Sequence, residues 1–245
     1  MQQRLLVLAI LAASASVATQ ADIVGATAGA YIWKQSWDGD VKAGSQSASM
    51  SDDLDYDDET GKSFYVALEH PVPLLPNIRL QRSDLEITET GKLSKDFRFD
   101  GKNYEEGDTV NSTTDLTHTD ATLYYEILDN WVNIDVGLTV RMFDGEVSIR
   151  DASDEGSIEI NAPVPMAYVN ARLELPLTGF YASGLGNVIA FGDNKITDMT
   201  LAVGYELGIL GLEIGYRNFD VQLKDDNEEA NVTVDGYFIG LVLDI

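Results

Sequence analysis

The stretch that decides the fold runs from Trp131 to Phe143 and reads WVNIDVGLTVRMF. Every even-numbered residue from Val132 to Met142 is apolar, whereas the odd-numbered residues between them include Asp135 and Arg141. A β-strand places alternate side chains on opposite faces, while a helix would spread both sets around its surface. The stretch therefore predicts a strand with one apolar face and one polar face.

The same alternation recurs along the chain. It is clear in four further segments: 167–175, 198–207, 212–217 and 237–245. Weaker alternation occurs in five more segments: 23–37, 62–70, 77–88, 114–127 and 180–191. The expected number of strands is therefore roughly ten, within a range of about eight to about twelve. Short connections are expected at 71–76, 128–130, 176–179 and 208–210. Longer polar connections are expected at 38–61, 89–113, 144–163 and 223–231, and only the short loop at 192–196 departs from the alternation. Short turns on one side and long loops on the other are typical of transmembrane barrels.

Strands with one apolar and one polar face occur in two architectures: a soluble β-sandwich and a closed barrel in a membrane. Several strands reach ten or more residues, whereas strands of soluble sheets cluster near five or six. Their polar faces carry glycine and charge, which suits the interior of a small barrel. These charges are Asp135, Arg141, Arg172, Glu174, Glu213 and Arg217. We therefore expect an all-β protein, a closed antiparallel transmembrane up-and-down β-barrel in the outer membrane of a Gram-negative bacterium, with the sandwich as the alternative.

Two strands test this prediction. Arg82 shares a parity with Ile78 and Leu80, and a lipid-facing arginine at mid-membrane costs about 2–4 kcal/mol. The segment 77–88 is therefore expected to bulge or to leave the membrane soon after Leu80. Segment 180–191 is more uniformly apolar, and its even-numbered residues are expected to face outward.

Aromatic residues near strand ends are expected to form girdles at the membrane interfaces. The candidates are Tyr31, Trp33, Trp37, Trp131, Tyr168, Tyr181, Tyr205, Tyr216 and Tyr237. The last segment, 237–245, is amphipathic. In outer-membrane barrels such a final strand directs the chain to the barrel-assembly machinery, and it usually ends in an aromatic residue, whereas this chain ends in Ile245.

Residues 1–21 have the layout of a cleaved secretory signal. Arg4 is followed by an apolar run from Leu5 to Ala13 and then by small residues as far as Ala21. The run is too short to remain as a membrane span. We predict a signal peptide at 1–21 and a barrel domain at 22–245.

Composition excludes several classes of function. The formal net charge of −25 disfavours binding to the phosphate backbone, so no nucleic acid partner is expected. The chain has no cysteine, which excludes disulfides and thiolate metal sites. Backbone pairing and packing must therefore hold the exported protein together.

Three segments carry a resemblance to a known family. They are residues 70–80, HPVPLLPNIRL; residues 123–138, LYYEILDNWVNIDVGL, continuing to Phe143-Asp-Gly; and residues 165–173, PMAYVNARL. Together with the leader they resemble a family of small, functionally uncharacterised outer-membrane β-barrel proteins of Gram-negative bacteria. The resemblance implies the fold and the location, and it implies no catalytic or binding residue.

Acidic clusters mark three of the expected long loops. Their members are Asp52, Asp53, Asp55, Asp57, Asp58 and Glu59; Asp151, Asp154 and Glu155; and Asp225, Asp226, Glu228 and Glu229. Carboxylates suit Ca²⁺ or Mg²⁺, and such ions would bridge the loops to anionic lipopolysaccharide. The spacing from Asp53 lacks the glycine and glutamate of an EF-hand, with Asp58 and Phe64 in their places. The acidic clusters therefore have two interpretations: weak binding of Ca²⁺ or Mg²⁺, or a crown, meaning a ring of solvated carboxylates that repel one another. No metal or cofactor site is assigned.

Catalysis has one weak candidate. His118 and Asp120 share a strand face near its loop end, with Asp115 nearby, and ten-stranded outer-membrane proteases place acidic residues and histidine at such a rim. A surface hydrogen bond is the alternative. A Ser–His lipid hydrolase is excluded, because His70 falls at the opposite turn and no Gly-x-Ser-x-Gly elbow occurs.

The charges expected in the lumen raise the question of transport. Arg141, Arg172 and Arg217 oppose a larger acidic set: Asp120, Glu126, Asp135, Glu174, Glu206 and Glu213. A barrel of about ten strands is close to the size that side chains fill. We therefore expect a non-enzymatic envelope or surface-interaction protein whose partners are outer-membrane lipid and lipopolysaccharide. A narrow cation-preferring channel is the first alternative, and an enzyme that uses His118 and Asp120 is the second.

Overall fold

The computed structural model describes residues 24–43, 46–225 and 228–245. The predicted signal peptide lies outside these residues. Within them the chain forms seventeen strands: β1 (Gly25–Ala43), β2 (Gln46–Ser49), β3 (Glu59–Glu69), β4 (Asn77–Ser83), β5 (Glu86–Lys92), β6 (Phe97–Phe99), β7 (Lys102–Tyr104), β8 (Thr109–Asp115), β9 (His118–Leu128), β10 (Val132–Phe143), β11 (Gly145–Arg150), β12 (Glu155–Ile160), β13 (Pro163–Glu174), β14 (Phe180–Phe191), β15 (Asn194–Leu207), β16 (Leu210–Asp225) and β17 (Glu228–Asp244). None of the described residues belongs to a helix long and apolar enough to cross a membrane.

Ten strands form one closed antiparallel barrel, which confirms the predicted fold. Their order is β1, β3, β4, β9, β10, β13, β14, β15, β16 and β17. The barrel closes because β17 pairs with β1, from Thr27 opposite Asp244 to Ala43 opposite Glu228. Closure pairs the edges of the first and last strands, whose N–H and C=O groups would otherwise meet hydrocarbon unpaired.

The outer surface of the barrel carries the predicted apolar faces. On β10, Val136, Leu138 and Met142 are exposed, whereas Asp135 and Arg141 between them are buried in the interior. On β15 the alternate residues from Met199 to Leu207 are exposed and apolar. Eight steps of about 3.4 Å, tilted by about 40°, give an apolar height of roughly 20 Å. This height suits the apolar belt of a membrane barrel.

The weaker strands also agree with the sequence. On β14, Phe180, Ala182 and Val188 face outward as predicted. Strand β4 ends at Ser83, so the chain leaves the barrel shortly after Leu80. Arg82 is then at the rim, where its guanidinium donates to Thr119 and lies 3.8 Å from the carboxylate of Asp144. Early exit explains how the arginine is tolerated.

The predicted girdle is wrong for five of its nine aromatic residues. Tyr31, Trp33, Trp37, Tyr168 and Tyr181 are buried inside the protein. Each has the parity of the inner face, so period two directs it away from lipid. Those on the outer surface are Trp131, Tyr205 and Tyr237, with Tyr216 half-buried beside Tyr237. The position of an aromatic residue near a strand end did not indicate whether its side chain faces lipid or the barrel interior.

The long connections are folded, which the sequence did not predict. Strands β12, β11, β8 and β5 form a second sheet, β6 and β7 form a hairpin, and β2 pairs with β1. We call residues 46–58, 84–117 and 144–162 the cap. It stands at the end of the barrel opposite the short turns at 70–76, 129–131, 175–179 and 208–209. Short turns face the periplasm in outer-membrane barrels, so this arrangement predicts that the cap faces the outside of the cell.

A hydrophobic core holds the cap together and joins it to the barrel. Leu85, Ile87, Phe97 and Val110 are almost fully buried in it. The same cluster continues into the upper barrel, where it includes Trp37, Phe143 and Phe219. Burial of a large apolar side chain contributes about 1.5–3 kcal/mol. The cap therefore has the core that a stable domain needs, and it packs directly on the barrel.

Candidate functional site

Four charged side chains meet inside the outer half of the barrel, and we call this group the plug: Asp120 on β9, Arg141 on β10, Asp198 on β15 and Arg217 on β16. Arg141 donates to both oxygens of Asp120 at 2.8 and 2.7 Å, and to Oδ2 of Asp198 at 2.5 Å. Arg217 donates to both oxygens of Asp198 at 2.8 and 2.6 Å. Asp198 therefore bridges two guanidinium groups.

Arg217 also ties the plug to the opposite wall. Its Nη1 donates to the hydroxyl of Tyr31 at 3.0 Å and to that of Ser83 at 3.0 Å. Its guanidinium lies 4.8 Å from the ring centre of Trp33, within the range of cation–π attraction. One side chain thus connects strand β16 with β1 and β4 across the lumen.

The four residues of the plug are shielded from solvent in the outer half of the lumen. Arg141 and Arg217 are 0% and 1% exposed, and Asp120 and Asp198 are 4% and 2% exposed. The two positive and two negative charges balance, so the plug itself carries no net charge. Breaking a buried pair of this kind by removing one partner typically costs about 3–5 kcal/mol.

His118 and Asp120 share the inner face of β9 as predicted, but they do not form a dyad at the surface. His118 is fully buried, and its Nδ1 lies 2.8 Å from the carbonyl oxygen of Leu116. A carbonyl only accepts, so this ring nitrogen carries the proton and Nε2 faces Arg217 at 3.4 Å. Asp120 is engaged by Arg141, and Asp115 accepts the backbone N–H of Thr117. The arrangement does not present a base to water.

A metal ion does not fit the plug. His118, Asp120 and Asp198 offer ligand atoms within 4.8 Å of one another, the one such convergent group found among the described residues. The carboxylates already accept hydrogen bonds from Arg141 and Arg217, which take the place of a cation. A further positive ion would meet two guanidinium charges at close range. Arginine, not metal, neutralises this cluster.

Below the plug a cavity of about 670 Å³ lies toward the periplasmic end, and we call it the vestibule. Its charged lining residues include Glu69, Arg79, Glu126, Asp129, Asp135, Arg172, Glu174, Glu213 and Asp244. Carboxylates outnumber arginines in this set. The predicted lumen charges are therefore split between two places: Asp120, Arg141 and Arg217 in the plug, and most of the others around the vestibule.

Sequence reasoning missed Asp198 as a member of the lumen set. Its parity on β15, opposite to that of Met199, already places it on the inner face. What the sequence lacked was the partner, because Arg141 and Arg217 lie 57 and 19 residues away. Arg217 reaches Asp198 across the β15–β16 hairpin, whereas Arg141 on β10 reaches it only because the barrel curves around the lumen.

The acidic clusters have mixed structural roles. Asp53 is buried, and it accepts hydrogen bonds from the backbone N–H groups of Ser49 at 2.8 Å and Ser94 at 3.0 Å. Burial opposes ionisation of Asp53, but these bonds and one from the Ser94 hydroxyl outweigh it and lower the pKa of the carboxyl. Asp151 likewise accepts backbone N–H groups of Asp154 and Ser153, which lower its pKa. These two carboxylates organise turns of the cap.

The other loop carboxylates are mainly solvated. Asp52, Asp55 and Asp57 are exposed, and Asp58 pairs with Lys34 at 2.8 Å. The side chains of Asp225, Asp226 and Glu228 lie outside the described residues. The crown interpretation is therefore wrong for Asp53, while weak binding of Ca²⁺ or Mg²⁺ to the exposed members stays a prediction.

No protein-family model and no curated protein sequence matches this chain. Solved structures match it at low sequence identity. The outer membrane protease OmpT from Escherichia coli has a TM-score of 0.60 and 8% identity, over 94% of this chain and 100% of that chain. The translocator domain of the autotransporter NalP from Neisseria meningitidis has a TM-score of 0.41 and 10% identity, over 99% of this chain and 95% of that chain. Neisserial surface protein A has a TM-score of 0.27 and 12% identity, over 92% and 99%.

At 8% identity the likeness to OmpT concerns the fold alone. With the closed barrel and its apolar belt, it confirms the expected resemblance to small outer-membrane β-barrel proteins. The protein is an integral outer-membrane β-barrel. The proteins with this architecture differ in function, so the role of this chain has to be argued from its own residues.

Proposed function

We propose that the protein acts without catalysis, presenting a folded acidic cap at the cell surface that engages the lipopolysaccharide layer through divalent cations. The observation that carries this proposal is the core of the cap, which is continuous with that of the barrel. A rigid structure of this kind holds its surface groups in fixed positions. Loops that served only to connect strands would not need it.

Polar contacts inside the cap support the same view. The hydroxyl of Tyr104 donates to the carbonyl of Ile149 at 2.8 Å, joining the hairpin to the second sheet. Tyr56 shares a buried hydrogen bond of 2.9 Å with Thr114. Asp53 joins the turn after β2 to Ser94 after β5. Segments distant in sequence are thus fixed relative to one another.

The outer surface of the cap is rich in carboxylates. The exposed acidic residues include Asp52, Asp55, Asp57, Asp84, Glu86, Asp96, Asp100, Glu105, Glu106, Glu146, Glu155 and Glu159, whereas the exposed basic residues are Lys92, Lys95, Arg98, Lys102 and Arg150. A surface of this sign repels the anionic groups of lipopolysaccharide unless cations lie between them. Oxygen-ligated Mg²⁺ or Ca²⁺ supplies that bridge.

A narrow cation channel is the second candidate, because the vestibule is acidic and lies at the periplasmic end. The plug argues against it, since its buried ion pairs fill the lumen above the vestibule. An enzyme that uses His118 and Asp120 is less well supported, because both residues are enclosed and Asp120 is bound to Arg141. For biogenesis, we propose that the amphipathic strand β17 is the segment that the barrel-assembly machinery recognises.

Two measurements test the proposal. Purified protein in planar bilayers should give no discrete conductance steps, and regular steps would favour the channel. Binding to lipopolysaccharide should require Mg²⁺ and should weaken when Asp52, Asp55 and Asp57 are all changed to asparagine. Asp129→Asn at a periplasmic turn is the matched control and should leave binding unchanged. Lipopolysaccharide binding that does not depend on Mg²⁺ and is unchanged by the cap substitutions would refute the proposed role.

A further inference from the structure

The vestibule contains a group of carboxylates, Glu69, Glu126 and Asp135, for which the described residues form no salt bridge. Glu126 on β9 lies directly opposite Asp135 on β10 in the strand register, and Glu69 on β3 is linked to the same area through Tyr124. Like charges directly opposite one another destabilise a sheet. Such an arrangement calls for a cation.

Asp135 is the key residue of this group. It is only 5% exposed, and it lines the vestibule. Its Oδ2 accepts a hydrogen bond from Asn170 at 2.9 Å, but its buried Oδ1 has no hydrogen-bond partner within the part of the chain that the structure describes. A buried carboxylate oxygen without a donor has lost its hydrogen bonds to water, and no protein hydrogen bond replaces them. Oδ1 is therefore an acceptor without a donor, on a residue that lines the cavity.

The arginines of the vestibule are engaged elsewhere. Arg79 lies 3.5 Å over the ring of Tyr65 and donates to Gln81 at 3.0 Å. Arg172 lies 3.6 Å over the ring of Tyr181 and pairs with Glu174 and Glu206. Neither contact reaches Asp135. Among the described residues neither arginine forms a salt bridge with Asp135, so Oδ1 remains open to a cation from outside the chain.

We propose that the vestibule binds a linear organic polyamine that enters from the periplasm. One ammonium group is held between Asp135 and Glu126, and a second is held near Glu69. Three observations favour this class over a metal ion. The vestibule is much larger than a metal ion, and its carboxylates do not form a convergent group of the kind found in the plug. The rings of Tyr124 and Tyr168 also line it, and aromatic faces attract ammonium groups.

The ammonium donors complete the hydrogen bonding of the group. Asp135 Oδ1 accepts an N–H from the ligand while Oδ2 keeps its bond from Asn170. A hydrogen bond to a charged group is worth enough to change affinity by about tenfold or more. The site lies at the opposite end of the barrel from the cap, so it is independent of lipopolysaccharide binding.

The test is calorimetric titration of the full chain in nanodiscs with spermidine at low ionic strength. Saturable binding with one site is expected, and Asp135→Asn should weaken it by about tenfold or more. Glu126→Gln, at an exposed position near the mouth, gives a second measurement if Asp135→Asn fails to fold, and it should weaken binding in the same direction. Asp58→Asn in the cap is the control and should have no effect.

Three results would overturn the proposal. One is no saturable binding of spermidine up to about 1 mM. Another is equal affinity in the parent protein and in both vestibule variants. The third is displacement of spermidine by an equal concentration of Mg²⁺, which would identify a metal site. Heat-modifiable migration on a gel verifies that each variant forms a closed barrel, so a loss of folding is not mistaken for a loss of binding.

Discussion

The substitution Asp198→Asn should destabilise the barrel more than any change in the exposed acidic residues. Asp198 accepts hydrogen bonds from Arg141 and Arg217 and is 2% exposed. Asparagine keeps the size and one acceptor oxygen but removes the negative charge. The plug is then left with two guanidinium groups and only Asp120. Uncompensated burial of this kind costs about 3–5 kcal/mol of unfolding free energy.

Urea unfolding in lipid vesicles, followed by tryptophan fluorescence, measures this change. Of the three tryptophans, Trp33 reports from beside the plug, because the guanidinium of Arg217 lies over its ring. The double variant Asp198→Asn with Arg217→Gln should lose less than the sum of the two single variants, because it removes both charges of one pair. Asp58→Asn is the surface control, since its pair with Lys34 is exposed. An unfolding free energy for Asp198→Asn within about 0.5 kcal/mol of the parent would refute the view that the plug is a tightly coupled ionic cluster.

Three further predictions concern the closing seam, the cap and its ions. Gly236→Ala should lower the unfolding free energy by about 1–3 kcal/mol. The reason is that φ of Gly236 is +151° and an added Cβ would overlap the carbonyl oxygen of Lys34. A stability equal to that of the parent in the same urea assay would contradict this prediction. Since hydrogen bonds lower the pKa of Asp53 in the folded cap, its stabilising effect is present above the ordinary carboxyl range and is lost as pH falls through the lowered pKa. The protection factor of the Ser94 amide, its exchange rate relative to an unstructured amide at the same pH, should therefore fall in acid. Asp53→Asn should show a low protection factor at every pH, and acid-dependent protection that persists in this variant would exclude this cause. Titration with calcium should raise the melting temperature, because Ca²⁺ would bind the exposed carboxylates of the folded cap. A melting temperature that does not change up to millimolar Ca²⁺ would contradict this prediction.

The sequence by itself determined which residues face lipid along most strands. Leu138 points outward and Asp135 inward because alternation with period two is a local property of the extended backbone. It also predicted that 77–88 either bulges or leaves the membrane soon after Leu80, since Arg82 on the lipid face is costly, and the structure shows the early exit. Closure follows from the same reasoning, because an open edge in hydrocarbon leaves backbone groups unpaired.

The tertiary structure decided which inward residues meet. Asp198 and Arg217 meet through the register of the β15–β16 hairpin, but Arg141 joins them from β10 only because the curved barrel sets the three side chains at one height in the lumen. The same holds for the cap, where Asp53 finds Ser94 across 41 residues. The free oxygen of Asp135 also depends on long-range packing, because Asn170 satisfies one carboxylate oxygen and leaves the other to the cavity. Period two assigns a side chain to a face, but the partners on that face depend on contacts between distant strands.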